Sequence, residues 1–196
     1  MKNKVCFDIG TWSGDSIIEF NKRRNQNKDY KIYGFEPHPD LKNHLEELSK
    51  EEDFDFLNGC AWIKYGLIDF YPGVNNLTQL STIFKDKKKF IDRNISIKVK
   101  SINFPNFFLI KNIDMKYCII KMNCEGCEYD ILENMIKNSS IKKVNELYVA
   151  WHVNKINSIS KERHVDLVKQ LKRIDGLILK TWKYEEGQKE SPFIEI

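Results

Sequence analysis

The chain has 196 residues and a mass of 23.3 kDa, and its 41% hydrophobic and 12% aromatic content suits one packed domain and excludes global disorder. Its net charge of +4 comes almost wholly from lysine, with only 5 arginines among 32 basic residues, which argues against nucleic acid, whose readers need arginine forks. Five cysteines form an odd count in mostly apolar runs, no apolar stretch nears the ~20 residues of a membrane span, and Met1 leads without a signal peptide into Val5, so a soluble cytoplasmic protein with no membrane partner is expected.

Short apolar runs then alternate with longer amphipathic stretches, the pattern of parallel βαβ units. Lys4–Ile9 reads as the first strand and residues 13–24 as the helix after it. Residues 32–35 make a second strand. A helix over 40–50 follows, where Leu41, Leu45 and Leu48 recur at helical spacing. Residues 54–57 form a third strand, and 66–72 an edge strand or ribbon ended by Pro72 and Gly73. Residues 74–93 are polar and lack a period. With Asn75, Asn76 and the basic run from Lys85 to Lys89, they read as a surface excursion, a lid or substrate loop. Alternation marks a strand at 95–99, and Phe104, Phe107 and Phe108 a short aromatic turn or helix at 104–110. Tyr117–Met122 is a central strand, apolar except for Lys121. A helix at 129–137, a strand at Glu146–Val149, a helix at 160–173 and closing strands at 177–182 and 192–196 complete one doubly wound α/β domain over residues 1–196.

The clearest motif is the turn after the first strand, Asp8, Gly10, Thr11, Trp12, Ser13, Gly14 and Asp15, with glycines four apart. Glycine there permits positive φ and close approach of a ligand to the backbone. Glu36 stands at the end of the second strand, before Pro37, where a carboxylate can accept both hydrogen bonds of a ribose diol. A dinucleotide site shares this layout but differs in chemistry. Counting Gly10 as the first glycine of G-x-G-x-x-G puts Trp12 where bare backbone must touch pyrophosphate. Asp15 then stands where it would repel that phosphate. S-adenosylmethionine carries no phosphate. Asp8 suits its cationic part, and the loop and helix N–H groups suit its carboxylate.

After the central strand come Asn123, Cys124, Glu125, Gly126, Cys127 and Glu128, then a helix through Tyr129 and Leu132. With the glycine loop, Phe35-Glu36-Pro37, the exit Asn58-Gly59-Cys60-Ala61, the ribbon at 66–70 and the step Ser81-Thr82, this resembles the FkbM-type methyltransferases. Residues 121–132 match that family's phrase K-I-D-V-E-G-A-E-x-x-x-L. The resemblance implies a Rossmann-like class I methyltransferase fold, a mostly parallel seven-stranded sheet with helices on both faces. It implies S-adenosyl-L-methionine as cofactor, held by Asp8, Gly10, Thr11, Gly14, Asp15, Glu36, Pro37, Cys60 and Ala61. It further implies that Lys121, Asn123, Glu125 and His152 converge beside the transferable methyl group. Strand alternation independently puts Lys121 and Asn123 on one side and Met122 and Cys124 on the other. Asn123 replaces the family's usual aspartate. Of an E-x-H ending only His152 remains, after Ala150 and Trp151.

The resemblance implies O-methylation of a saccharide or similar hydroxylated small molecule, in a homodimer or a larger glycan-modifying assembly. An RNA or protein methyltransferase and a non-catalytic nucleotide-binding module are the alternatives. Removing the hydroxyl proton leaves two routes open. His152 is a general base, or Glu125, Asn123 and His152 hold Mg²⁺ or Mn²⁺. Cys124 and Cys127 are spaced like half a zinc site, but no second pair is visible, and small apolar packing fits them better.

Overall fold

A period of two along apolar strands puts successive side chains on opposite sheet faces, so each strand can bury both. The computed structural model describes residues 2–181. In chain order it contains β1 (Lys4–Ile9), α1 (Asp15–Arg24), β2 (Tyr30–Phe35), α2 (Lys42–Glu51), β3 (Asp55–Leu57), β4 (Cys60–Trp62) and β5 (Gly66–Phe70). There follow β6 (Ile97–Asn103), α3 (Phe104–Lys111), β7 (Tyr117–Met122), α4 (Cys127–Lys137), β8 (Glu146–Val149), α5 (Lys161–Leu171) and β9 (Ile178–Thr181).

Six strands form the main sheet in the order β3-β2-β1-β7-β8-β9, every pair parallel. Val5, Phe7 and Ile9 of β1 join Phe104 and Phe108 of α3 and the apolar face of α4 in one core cluster. Cys6 joins Ile17 and Phe20 of α1 and Leu45 and Leu48 of α2 in another. Helices therefore cover both faces, the doubly wound arrangement. Phe7 anchors the first core edge-on to Phe104 at 5.5 Å and stacked on Tyr33 at 5.4 Å.

The segment between β3 and β7 builds a separate three-stranded sheet, β4-β6-β5, with β4 parallel and β5 antiparallel to β6. Its strand β4 escaped the sequence reading, because three residues show no period. The aromatic stretch after it is helix α3, begun by Asn103, whose side chain accepts from the Asn106 N–H at 3.1 Å. The expected seven-stranded sheet has six strands among the described residues. β8 and β9 pair directly, from Glu146 with Ile178 to Val149 with Thr181, so no strand lies between them. The strand expected at 192–196 lies outside the described residues. None of the described helices is long and apolar enough to cross a membrane.

Residues 74–93, expected as a surface excursion, a lid or substrate loop, are partly buried. Short 3-10 turns at Val74–Asn76 and Thr78–Leu80 and bridges from Tyr71 to Thr82 and from Lys87 to Ile156 tie them to the rest of the domain. Thr82 and Lys87 end up buried. The polarity of this segment serves internal hydrogen bonds as well as solvent.

Candidate active site

In an open parallel sheet the ligand crevice lies beyond the carboxyl ends of the strands, where the strand order reverses. Here that point falls between β1 and β7. Gly10 holds φ +78, and a Cβ there would sit 1.9 Å from the Asn123 carbonyl oxygen. Only glycine lets the exits of β1 and β7 pass each other. The Gly10 and Thr11 N–H groups both donate to the Phe35 carbonyl at 3.0 Å, which ties the loop to the end of β2. Trp12 follows at φ +47, a left-handed conformation that costs a non-glycine residue on the order of 1 kcal/mol. Its N–H donates to Glu36 Oε2 at 3.0 Å and its indole Nε1–H to Thr78 Oγ1 at 2.9 Å.

Asp8 and Lys121 lie beneath this loop. Lys121 Nζ is 2.7 Å from Asp8 Oδ1 and donates to the Gly10 carbonyl at 2.6 Å, while Asp8 Oδ2 accepts from Ser16 Oγ. Neither residue lines the crevice. The sequence reading set Asp8 against a cationic ligand group and Lys121 beside the reacting methyl. The structure instead pairs them with each other, since opposite charges in one dry space are best satisfied together. Thr11, Gly14 and Asp15 also stay outside the lining. Thr11 Oγ1 donates to the Asp8 carbonyl at 3.1 Å, Gly14 caps α1 at φ +88, and Asp15 accepts from Ser13 Oγ at 3.0 Å.

The crevice encloses about 540 Å³, its open mouth included. Gly10 and Trp12 line it from the loop, Glu36 and Pro37 from the end of β2, and Cys60 and Ala61 from β4. Thr78, Gln79, Ser81 and Thr82 contribute a wall from the 74–93 segment. Glu36 is 7% exposed. Burial pushes its carboxyl up to about 7, against the pull of the His38 and Trp12 N–H groups, which donate to its two oxygens at 2.9 and 3.0 Å. Each oxygen retains a further lone pair.

At the β7 end, Asn123, Cys124 and Glu125 reach the crevice. Glu125 is the hub of a buried charge cluster. Its Oε2 meets Lys87 Nζ at 2.6 Å, and its Oε1 meets His152 Nε2 at 3.0 Å and Lys155 Nζ at 3.2 Å. Burial alone would raise its pKa, but His152, Lys87 and Lys155 hold the carboxyl well below the usual range. His152 Nδ1 lies 2.9 Å from Glu128 Oε1, so the ring sits between two carboxylates. Burial disfavours the imidazolium, yet Glu125 and Glu128 push His152 up to about 9. Both ring nitrogens then donate, and no lone pair is left for a proton or a metal.

A model of the methyltransferase FkbM domain matches residues 8–178. The chain belongs to the FkbM methyltransferase family. Comparisons with curated proteins and with solved structures gave no match.

In this FkbM domain the structure places the expected catalytic set in three locations. Asn123 and Glu125 line the crevice; Lys121 lies under the loop, and His152 is buried behind Glu125 at 2% exposure. The metal expectation fails on the donor set. Lysines and a protonated imidazole already neutralise Glu125, and among the described residues no group of three or more His, Cys, Asp or Glu side chains is placed to hold a metal ion. Glu128 and Lys87 were missed. Glu128 is fully buried, accepting from the Gly126 N–H at 2.9 Å and the His152 N–H at 3.1 Å. Its signal was available, as the second glutamate of the family phrase. Lys87 had none, because a lysine among lysines reads as solvated. Cys60, Cys124 and Cys127 gather on the crevice wall, with Cys60 and Cys127 Sγ 3.9 Å apart. Burial pushes the Cys124 thiol up to about 11, so it behaves as a small apolar group.

Proposed function

We propose that this FkbM methyltransferase uses S-adenosylmethionine and methylates a hydroxyl of a saccharide or related neutral small molecule. The observation that carries the reading is Glu36, a buried carboxylate on the crevice wall with acceptor capacity beyond its two backbone donors. A ribose diol supplies two such donors. The fit extends along the crevice: Pro37, Cys60 and Ala61 offer a mostly apolar wall for a purine, and the backbone at Gly10 and Trp12 faces the amino-acid end. When bound, the cofactor supplies an electrophilic methyl group on a sulfonium.

Among the described residues the lining contains the acids Glu36 and Glu125, the latter offset by Lys87, Lys155 and His152 behind it, and no lysine or arginine. Such a lining offers no cationic side chain to the phosphates of RNA and suits a neutral acceptor. Gln79 and Asn123 add amide groups of the kind that bind sugar hydroxyls. Glu125 Oε2, with one lone pair beyond its Lys87 bond, is suited to accept the acceptor hydroxyl's hydrogen bond and orient the oxygen. Held ionised, it is too weak a base to take that proton beforehand, and takes it only as the oxygen becomes cationic. His152 fixes Glu125 in place and takes no proton.

The test is calorimetry followed by transfer of labelled methyl from S-adenosylmethionine to a panel of mono- and oligosaccharides, RNA and peptides. Binding of S-adenosylhomocysteine and labelling confined to the saccharides are expected. Binding of NAD with the methyl donor ignored would overturn the cofactor assignment, and labelling of RNA or peptide alone would overturn the acceptor.

A further inference from the structure

We infer that Trp12 selects the charged methyl donor by presenting its indole face to the sulfonium; the inference rests on the donor assignment above. A side chain at this point of the loop needs a reason. Its backbone lies at φ +47, a conformation that glycine would take without strain, and the residue lines the crevice.

The surroundings hold Trp12 at both ends. Its N–H is fixed on Glu36 Oε2 at 3.0 Å, and its Nε1–H on Thr78 Oγ1 at 2.9 Å. An indole N–H bond lies in the ring plane, so the bond to Thr78 engages one edge of the ring and not a face. No described ring stacks on Trp12, and no described cation lies over it. The ring is thus held at both ends beside a crevice that Trp12 lines and that, among the described residues, no lysine or arginine lines.

A sulfonium is a compact, weakly hydrated cation, the kind of group aromatic faces hold best. Methyl transfer removes that charge, so the ring favours the donor and releases the neutral thioether product. The same side chain fills the place where a dinucleotide needs bare backbone against its pyrophosphate.

The test is the ratio of association constants for S-adenosylmethionine and S-adenosylhomocysteine, measured by calorimetry. Trp12→Leu is expected to lower the ratio ~5- to 30-fold, while Trp12→Phe, which keeps a face but loses the Thr78 bond, lowers it less than ~3-fold. A second measurement leaves the sequence unchanged. Incorporating mono-, di- and trifluorotryptophan drains the ring face of negative charge, and donor affinity should fall stepwise while product affinity holds. A ratio unchanged in Trp12→Leu, or indifferent to fluorination, overturns the inference and leaves the donor assignment standing. A wild-type protein that binds neither ligand removes the donor assignment instead.

Discussion

Titration of His152 gives the sharpest test of the charge cluster. In the folded protein its pKa is pushed up to about 9, against an ordinary 6.5, because Glu125 and Glu128 outweigh the burial that opposes the charge. A raised folded pKa means that the folded state keeps its proton where the unfolded chain has lost it. The stabilisation is therefore complete below pH ~6.5 and is lost as the pH rises through ~9. The gap corresponds to about 3 kcal/mol, a large part of the stability of a domain this size. Glu36, raised to about 7, contributes stability that is lost as the pH rises from ~4.5 through 7, and Lys87, whose pKa burial lowers, acts in the opposite sense above it, so comparison with His152→Gln isolates the histidine. Urea unfolding of the wild type at pH 7, 8 and 9 should show stability falling by about 2–3 kcal/mol, and imidazole NMR should place the titration above pH 8. His152→Gln removes the cation between two buried carboxylates and should cost about 3–5 kcal/mol at pH 7, with a flatter dependence above it. A wild-type profile parallel to that of His152→Gln, or a His152 pKa below 7, would refute the imidazolium assignment and restore His152 as a candidate base.

Two further expectations follow from the crevice. The affinity for S-adenosylhomocysteine should rise with pH through ~7 as Glu36 ionises, and Glu36→Ala should weaken it by about 1.5–3 kcal/mol and flatten that dependence; calorimetry from pH 5.5 to 8.5 reads both. Lys87→Met breaks a buried ion pair that ties the 74–93 segment to Glu125. It should cost about 3–5 kcal/mol in urea unfolding and expose residues 74–93 to protease, and unchanged stability would show that the tie is dispensable.

Local chemistry made much of this molecule legible in advance. Short apolar runs marked β1, β7 and β8, and the leucine spacing marked α2, because one residue's burial there depends on neighbours only a few positions away. The glycine loop and Glu36 were legible for a related reason. A strand-to-helix turn and the acid after the next strand belong to one βαβ unit, whose geometry brings them together. The phrase from Lys121 to Leu132 pointed to the FkbM family. Contacts between distant segments left no such trace. Nothing near Lys87 in sequence indicates that it will be buried on Glu125, 38 positions away. Whether Asp8 meets a ligand or Lys121 depends on the pairing of β1 with β7, which sets the two residues side by side. The protonation state of His152 is likewise a tertiary property. An isolated imidazole titrates near neutrality, and only the fold, by closing two carboxylates around the ring in a dry interior, turns an apparent base into a fixed cation.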